Sequence, residues 1–160
     1  MGKTDYIKSI IRQMSGKQKK EYVLIDEYLG EMKRIGFERD DNCLWKTNKR
    51  ILNLDVVVSL QGTSYAIDIE ERENFLRIWK FIVDNENKVE TALRALCNKL
   101  TLDIANKSLG NDIICSYSKI GDVLTFSSDK IYITISIIGE IYINIAFRNT
   151  VDKPENIIVG

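Results

Sequence analysis

The sequence predicts a single α+β domain, residues 1–160, in which a mostly antiparallel sheet, or two smaller sheets, packs against helices in the order ααβββααββββ. Three patterns lead there: apolar residues at helical spacing before residue 36 and again between 75 and 104, apolar alternation from 43 to 70, and four short alternating segments after 113. At 160 residues the chain is long enough to bury a core without disulfide or metal staples, and it contains no repeat, linker or low-complexity tract.

Residues 4–14 read as a short amphipathic helix, with Tyr6, Ile7, Ile10, Ile11 and Met14 on one side and Ser15-Gly16 ending it. A stronger helix is expected from about Lys17 to Ile35, because Tyr22, Ile25, Leu29 and Met32 recur at helical spacing and Gly36 suits a C′ position. Three strands should follow. Asn42–Thr47 leads into an Asn48-Lys49 turn that lines Trp45 with Leu52 and Cys43 with Leu54. Ile51–Leu60 and Tyr65–Glu70 then form a hairpin around a type II′ Gly62-Thr63 turn, pairing Leu60 with Tyr65, Val58 with Ile67 and Val56 with Ile69.

Two more helices are expected next. The first buries Phe75, Ile78, Trp79, Ile82 and Val83. The second starts at an Asn87/Glu90 capping box and buries Val89, Leu93, Leu96, Leu100 and Ile104, with Ser108–Asn111 closing the helical region. The last third reads as a β-meander: 113–118, 123–127, 131–137 and 141–148, with turns at Gly121-Asp122 and Ser127-Ser128-Asp129. For its final hairpin a three-residue loop, Ile138–Glu140, pairs Ile137 with Ile141, Ile135 with Ile143, Ile133 with Ile145 and Ile131 with Phe147. A two-residue turn would flip one apolar face outward. Residues 150–160 read as a tail that packs or frays. A final strand as apolar as Ile141–Phe147 calls for cover from a helix or a second subunit.

Formal charge is balanced, with 23 Lys+Arg and 23 Asp+Glu, but unevenly placed. Residues 1–20 form a basic arm, Lys3, Lys8, Arg12, Lys17, Lys19 and Lys20 against Asp5 alone. Such an arm suits phosphate or an acidic partner, although a solvated helix face and loop is the favoured reading. The chain has no histidine, which removes Ser-His and Cys-His nucleophilic catalysis, imidazole acid–base chemistry and every His-ligated zinc site. Cys43, Cys97 and Cys115 are odd in number and far apart, so they read as reduced thiols of a cytoplasmic protein. No run is apolar enough to span a membrane, no apolar signal stretch opens the chain, and Tyr6 stands where a myristoylation motif needs Ser or Thr.

The expected hairpin sets Asp55 opposite Glu70, with Asp68 beside them on the same face. Facing carboxylates repel unless water, a cation or a basic neighbour relieves them, and Arg50 and Arg72 bracket the group. Asp55 followed by Asp68-Ile69-Glu70, on three strands after a helix, resembles the core of the PD-(D/E)XK nucleases. The resemblance covers roughly a third of the chain. It implies Mg²⁺ held by Asp55, Asp68 and Glu70, with Glu27 as a further helical acid and Lys46 or Arg72 near the phosphate. The motif is degenerate: Glu70 replaces the family's lysine, and no proline precedes Asp55.

The expected function is therefore a non-catalytic, cofactor-free protein-binding module of the inhibitor, immunity or phage-accessory kind, with a protein partner. Its binding residues would be Asp55, Asp68 and Glu70 together with Lys17, Lys19 and Lys20. The alternative is the Mg²⁺-dependent nuclease. A third reading is a nucleic-acid-binding accessory protein that uses the three lysines.

Overall fold

The computed structural model describes residues 19–37, 39–100, 112–147 and 155–159. The expected helix at 4–14, Lys17, the segment 101–111 and most of the tail lie outside them. Within the described residues the architecture is dominated by one nine-stranded sheet whose strands follow chain order from edge to edge, with two helices on one face. This corrects the expected α+β balance and the order ααβββααββββ.

Much of the correction lies between residues 20 and 36. The stretch expected as a helix is a hairpin, β1 Lys20–Asp26 and β2 Gly30–Gly36, paired antiparallel from Lys20↔Gly36 to Asp26↔Gly30. Tyr22, Ile25, Leu29 and Met32 happen to fall at helical spacing, but the two halves of the stretch alternate instead. Tyr22, Leu24 and Asp26 turn inward while Val23 and Ile25 are exposed; Met32 and Arg34 turn inward while Lys33 and Ile35 are exposed. β-Branched Val23, Ile25 and Ile35 favour that reading. Two local features close the turn. Gly30 sits at φ +79°, and the Asp26 carboxylate accepts the N–H groups of Tyr28 and Leu29, both at 2.9 Å.

Strands β3, Cys43–Ile51, and β4, Leu54–Gly62, form a longer hairpin than expected. Asn48-Lys49 stays within β3. The turn is Leu52-Asn53, both at positive φ as a type I′ turn requires. Trp45 therefore faces Leu60, not Leu52, and Cys43 faces Gly62. Beyond β4 the expected strand Tyr65–Glu70 shrinks to one bridge, Gly62↔Ile67, and one bond from the Asp68 N–H to the Gln61 carbonyl at 2.9 Å. The approach is close: a Cβ on Gly62 would lie 2.2 Å from the Ala66 oxygen. Pairing stops there because Asp68 is the N-cap of a helix.

That helix, α1 (Ile69–Asp84), buries Phe75, Ile78, Trp79 and Ile82 as expected, but Val83 is exposed. After Asn85 follows α2, Glu86–Lys99, which buries Val89, Leu93, Leu96 and Cys97. It starts before Asn87, so the expected capping box is not its N-terminus. The Glu86 carboxylate instead accepts the Leu52 N–H at 2.9 Å and ties α2 to the β3–β4 turn.

The meander forms as expected: β5 Ile113–Ser118, β6 Val123–Ser127, β7 Ile131–Ile138 and β8 Glu140–Phe147. The β7–β8 register is the one that aligns the apolar faces, Ile137↔Ile141 through Ile131↔Phe147. A ninth strand, β9 (Glu155–Val159), emerges from the expected tail and pairs antiparallel with β8. All neighbours are antiparallel except β4 and β5, which run parallel over Val56↔Ile113 to Val58↔Cys115. The α1–α2 pair is the crossover that such a pairing needs. Among the described residues no helix is long and apolar enough to cross a membrane.

One ion pair fastens α1 to the first hairpin. Arg72 grips the buried Asp26 side chain with both ends of its guanidinium, Nε at 2.5 Å and Nη2 at 3.0 Å. The Arg72 bond, helped by the Leu29 and Tyr28 amides, outweighs burial and holds the Asp26 carboxyl down at about 2, against an ordinary 3.8. A depressed carboxylate pKa stabilises the fold above the unfolded value, and that contribution is lost as pH falls from about 4 towards 2. The shift corresponds to about 2 kcal/mol. Asp26→Asn should cost about 3 kcal/mol at pH 7, because Arg72 loses its carboxylate. It should also flatten the loss of stability between pH 4 and 2, as urea midpoints across that range will show.

Candidate functional site

The acids expected to share one hairpin face are not together. Asp55, the second residue of β4, lies directly opposite Arg50, and the two form an exposed ion pair at 2.8 Å, with Arg50 also donating to Asn53. Asp68 caps α1, its Oδ1 accepting the Glu71 N–H at 3.0 Å, and Glu70 projects from the first turn of that helix. Asp68 is bonded to Gln61, six residues along β4 from Asp55, a span of about 20 Å. The structure thus brings Asp68 and Glu70 to one end of the sheet and Asp55 to the other.

The remaining candidates scatter as well. Glu27 is exposed in the β1–β2 turn, Lys46 is exposed on the sheet face away from the helices, and Arg72 is committed to Asp26. Lys19 and Lys20 are exposed where β1 begins. Among the described residues no group of three or more His, Cys, Asp or Glu side chains is placed to hold a metal ion. The three cysteines are free and buried, and burial pushes the Cys97 thiol up to about 11 and the Cys115 thiol well above its ordinary value.

What does converge is a set of connections at one end of the sheet. Because β4 and β5 run parallel, Gly62, where β4 ends, lies on the same side as the β5–β6 turn; the β2–β3 loop and the β7–β8 turn fall there too. Loops 37–42 and 63–66 are stitched together: the Asp40 N–H donates to Ser64 Oγ at 2.6 Å, and that hydroxyl donates back to the Asp40 carbonyl at 2.7 Å. The Trp45 indole N–H reaches the Thr63 carbonyl at 3.1 Å. The β5–β6 turn is held by Asp122, which takes Arg77 of α1 at 2.5 Å and the Tyr117 hydroxyl at 2.6 Å.

Each of these connections exposes a large apolar side chain: Phe37, Tyr65 with Ile69, Ile120 and Ile138, with Ile120 the extreme at 90%. The opposite end differs. Leu29 and Leu52 turn inward, Lys80 lies over the Tyr28 ring at 4.6 Å, and the β6–β7 turn is Ser128-Asp129-Lys130. The exposed charges of the apolar end are mixed, with Asp41, Asp68, Glu70 and Glu140 against Lys19, Lys20, Arg39 and Lys119. Glu71, just inside, is half-buried and accepts the Gln61 N–H. Burial chiefly, and the charge of Asp68, raise its pKa against that bond.

The sequence does carry a signal for this end. Ile120-Gly121 and Ile138-Gly139 place isoleucine at hairpin tips, where polar residues are the rule. In comparisons with protein-family models, curated proteins and solved structures, nothing matches the chain.

The separation of the acids has a measurable consequence. Asp68→Ala should cost about 1 kcal/mol through loss of the helix cap, and Asp55→Ala less than about 1 kcal/mol as an exposed pair. The double variant should lose the sum, with coupling below about 0.5 kcal/mol. Denaturant unfolding of the four proteins measures it.

Proposed function

We propose that this chain is a non-catalytic protein-binding module, of the inhibitor, immunity or phage-accessory kind, working in the cytoplasm with its thiols reduced. The carrying observation is the end of the sheet where adjoining connections expose Phe37, Tyr65, Ile69, Ile120 and Ile138. An isoleucine at a hairpin tip gains nothing from the chain's own core, and apolar side chains grouped on a surface mark contact sites. The charges around them, of both signs, form a polar rim that fixes the orientation of a partner presenting an apolar surface. Asp68 and Glu70 belong to this surface. Asp55, at the far end, does not.

The end is also braced for such a role. Ser64 and Asp40 hold two of its loops together, and Arg77 and Tyr117 hold a third through Asp122. Loops fixed in advance lose little entropy when they dock.

The test compares partner capture by the wild type, by Ile120→Asp with Ile138→Asp, and by Lys130→Asp on the opposite turn. All three should melt alike, because the substituted side chains are exposed. A protein held by the wild type and by Lys130→Asp, and retained at least about tenfold less by the isoleucine variant, is expected, a difference of about 1.4 kcal/mol. Equal retention by the isoleucine variant would overturn the reading. So would isoleucine-dependent sedimentation with phosphatidylcholine vesicles, which would make the end a lipid contact.

A further inference from the structure

A second feature is the outer side of β1, and it does not depend on the loop-end reading. Among the described residues β1 is an edge of the sheet, paired with β2 and with no other strand. Folds blunt such edges with a proline, a bulge or a charge in mid-strand. β1 has none of these between Tyr22 and Ile25, and it pairs one-to-one with β2 from Lys20↔Gly36 to Asp26↔Gly30. A regular apolar edge of this kind is a template for another strand.

Both faces of the strand are unfinished. Val23 is 53% exposed and Ile25 73% on the side away from the helices. Tyr22 and Leu24, on the other side, are only partly buried at the rim of the core. A strand added along β1 would cover the flanks of all four side chains and extend the core beyond its present edge.

The charges decide which strand. β1 is basic where it starts, at Lys19-Lys20, and acidic where it ends, at Asp26-Glu27. A strand with that polarity complements itself when it runs antiparallel to a second copy. Pairing residues of like parity keeps core face with core face. With Val23 on the two-fold axis all of β1 is paired: Val23 meets Val23, Tyr22 meets Leu24 and Lys20 meets Asp26. Glu21 meets Ile25, its carboxylate drawn aside to Lys33 at 3.4 Å. One step beyond the ladder, Lys19 of each copy comes opposite Glu27 of the other. Asp26 is already held by Arg72, so Lys19 and Glu27, both exposed, are the pair that sets the register. An axis on Leu24 would shorten the ladder and set Glu21 against Glu27.

We propose that the chain forms a two-fold dimer through β1, antiparallel about Val23, which joins the two sheets into one. Such an interface uses the same edge of both copies and closes at two, whereas β1 against β9 would grow without end. The experiment measures sedimentation of the full chain over a wide range of concentration at low salt. The variants are Ile25→Lys, Lys19→Glu, Glu27→Lys, the double exchange of Lys19 and Glu27, and Ile120→Asp with Ile138→Asp. All substituted side chains are exposed, so thermal melting should differ little among the monomers.

A monomer–dimer equilibrium is expected for the wild type. Ile25→Lys, which puts a charge in mid-strand, should raise the dissociation constant at least about tenfold. Lys19→Glu and Glu27→Lys each set like charges together at both ends and should weaken the dimer about tenfold. The double exchange should return it to within about threefold of the wild type. The loop-end variant should dimerise as the wild type does. The proposal fails if the chain is monomeric at every concentration, if larger species keep growing, or if Ile25→Lys dimerises unchanged. It fails equally if the charge exchange does not restore the dimer, or if the loop-end variant loses it.

Discussion

The parallel pairing of β4 with β5 governs much of the rest of this molecule. A parallel neighbour cannot be reached through a tight turn, so the chain must leave the sheet after Gly62, cross one face and re-enter at Ile113. The α1 and α2 helices form part of that path. They are apolar on the side they lay against the sheet, which decides that Val56, Val58 and Leu60 point into the core and that Lys46 points away from it. The same pairing aligns the ends of β4 and β5, and so gathers the β2–β3, β4–α1, β5–β6 and β7–β8 connections at one end. Neither the core nor the candidate binding end would exist in this form with an antiparallel partner for β4.

Polar contacts then lock what the crossover brings close. Arg72, one turn into α1, reaches the Asp26 carboxylate that also shapes the β1–β2 turn, so one side chain closes a hairpin and anchors a helix. Glu86 does the same at the start of α2 by taking the Leu52 N–H of the β3–β4 turn. Asp68 ends the extension of β4 and starts α1 in a single residue. The capping Asp68 and the Glu71 three residues later look like a capping box in sequence. Glu71, however, turns to the Gln61 N–H and binds the helix to β4.

That residue pair explains why the expected acidic hairpin does not form. Tyr65, Ile67 and Ile69 alternate, but an N-cap signature stands inside the same six residues, and the cap prevails because α1 has a full apolar face to bury. The stretch from 20 to 36 fails for a related reason. Its apolar residues fit a period of about 3.6, and the true alternation is masked because Asp26 and Arg34 turn inward while Val23, Ile25 and Ile35 are exposed; β-branched content and Gly30 favour strands. Where the two periods do not coincide, the sequence is legible. The isoleucines of β7 and β8 admit only the register that keeps them on one face, and that register is observed. The burial of Phe75, Ile78, Trp79 and Ile82 is legible for the same reason.

The site was harder to read than the fold because it is made by adjacency between distant turns. Ile120 and Ile138 are visible as odd tip residues, but only the strand order shows that their hairpins are neighbours, with β6 beside β7. Nor does alternation reveal that Arg34 is buried. An arginine on the inward side of a hairpin reads as an error in the pattern until Tyr22, Trp45 and the Phe37 and Ser64 carbonyls are seen around it. Both features break a local rule, one by exposing apolar groups and the other by burying a charge. The exposed isoleucines add nothing to the packing of the fold, whereas Arg34 stacks on Tyr22 and ties two loop carbonyls to the sheet. The exposed isoleucines at the hairpin tips are thus the departure that the fold's own packing does not explain, whereas Asp55 and Asp68 are accounted for by an ion pair and a helix cap.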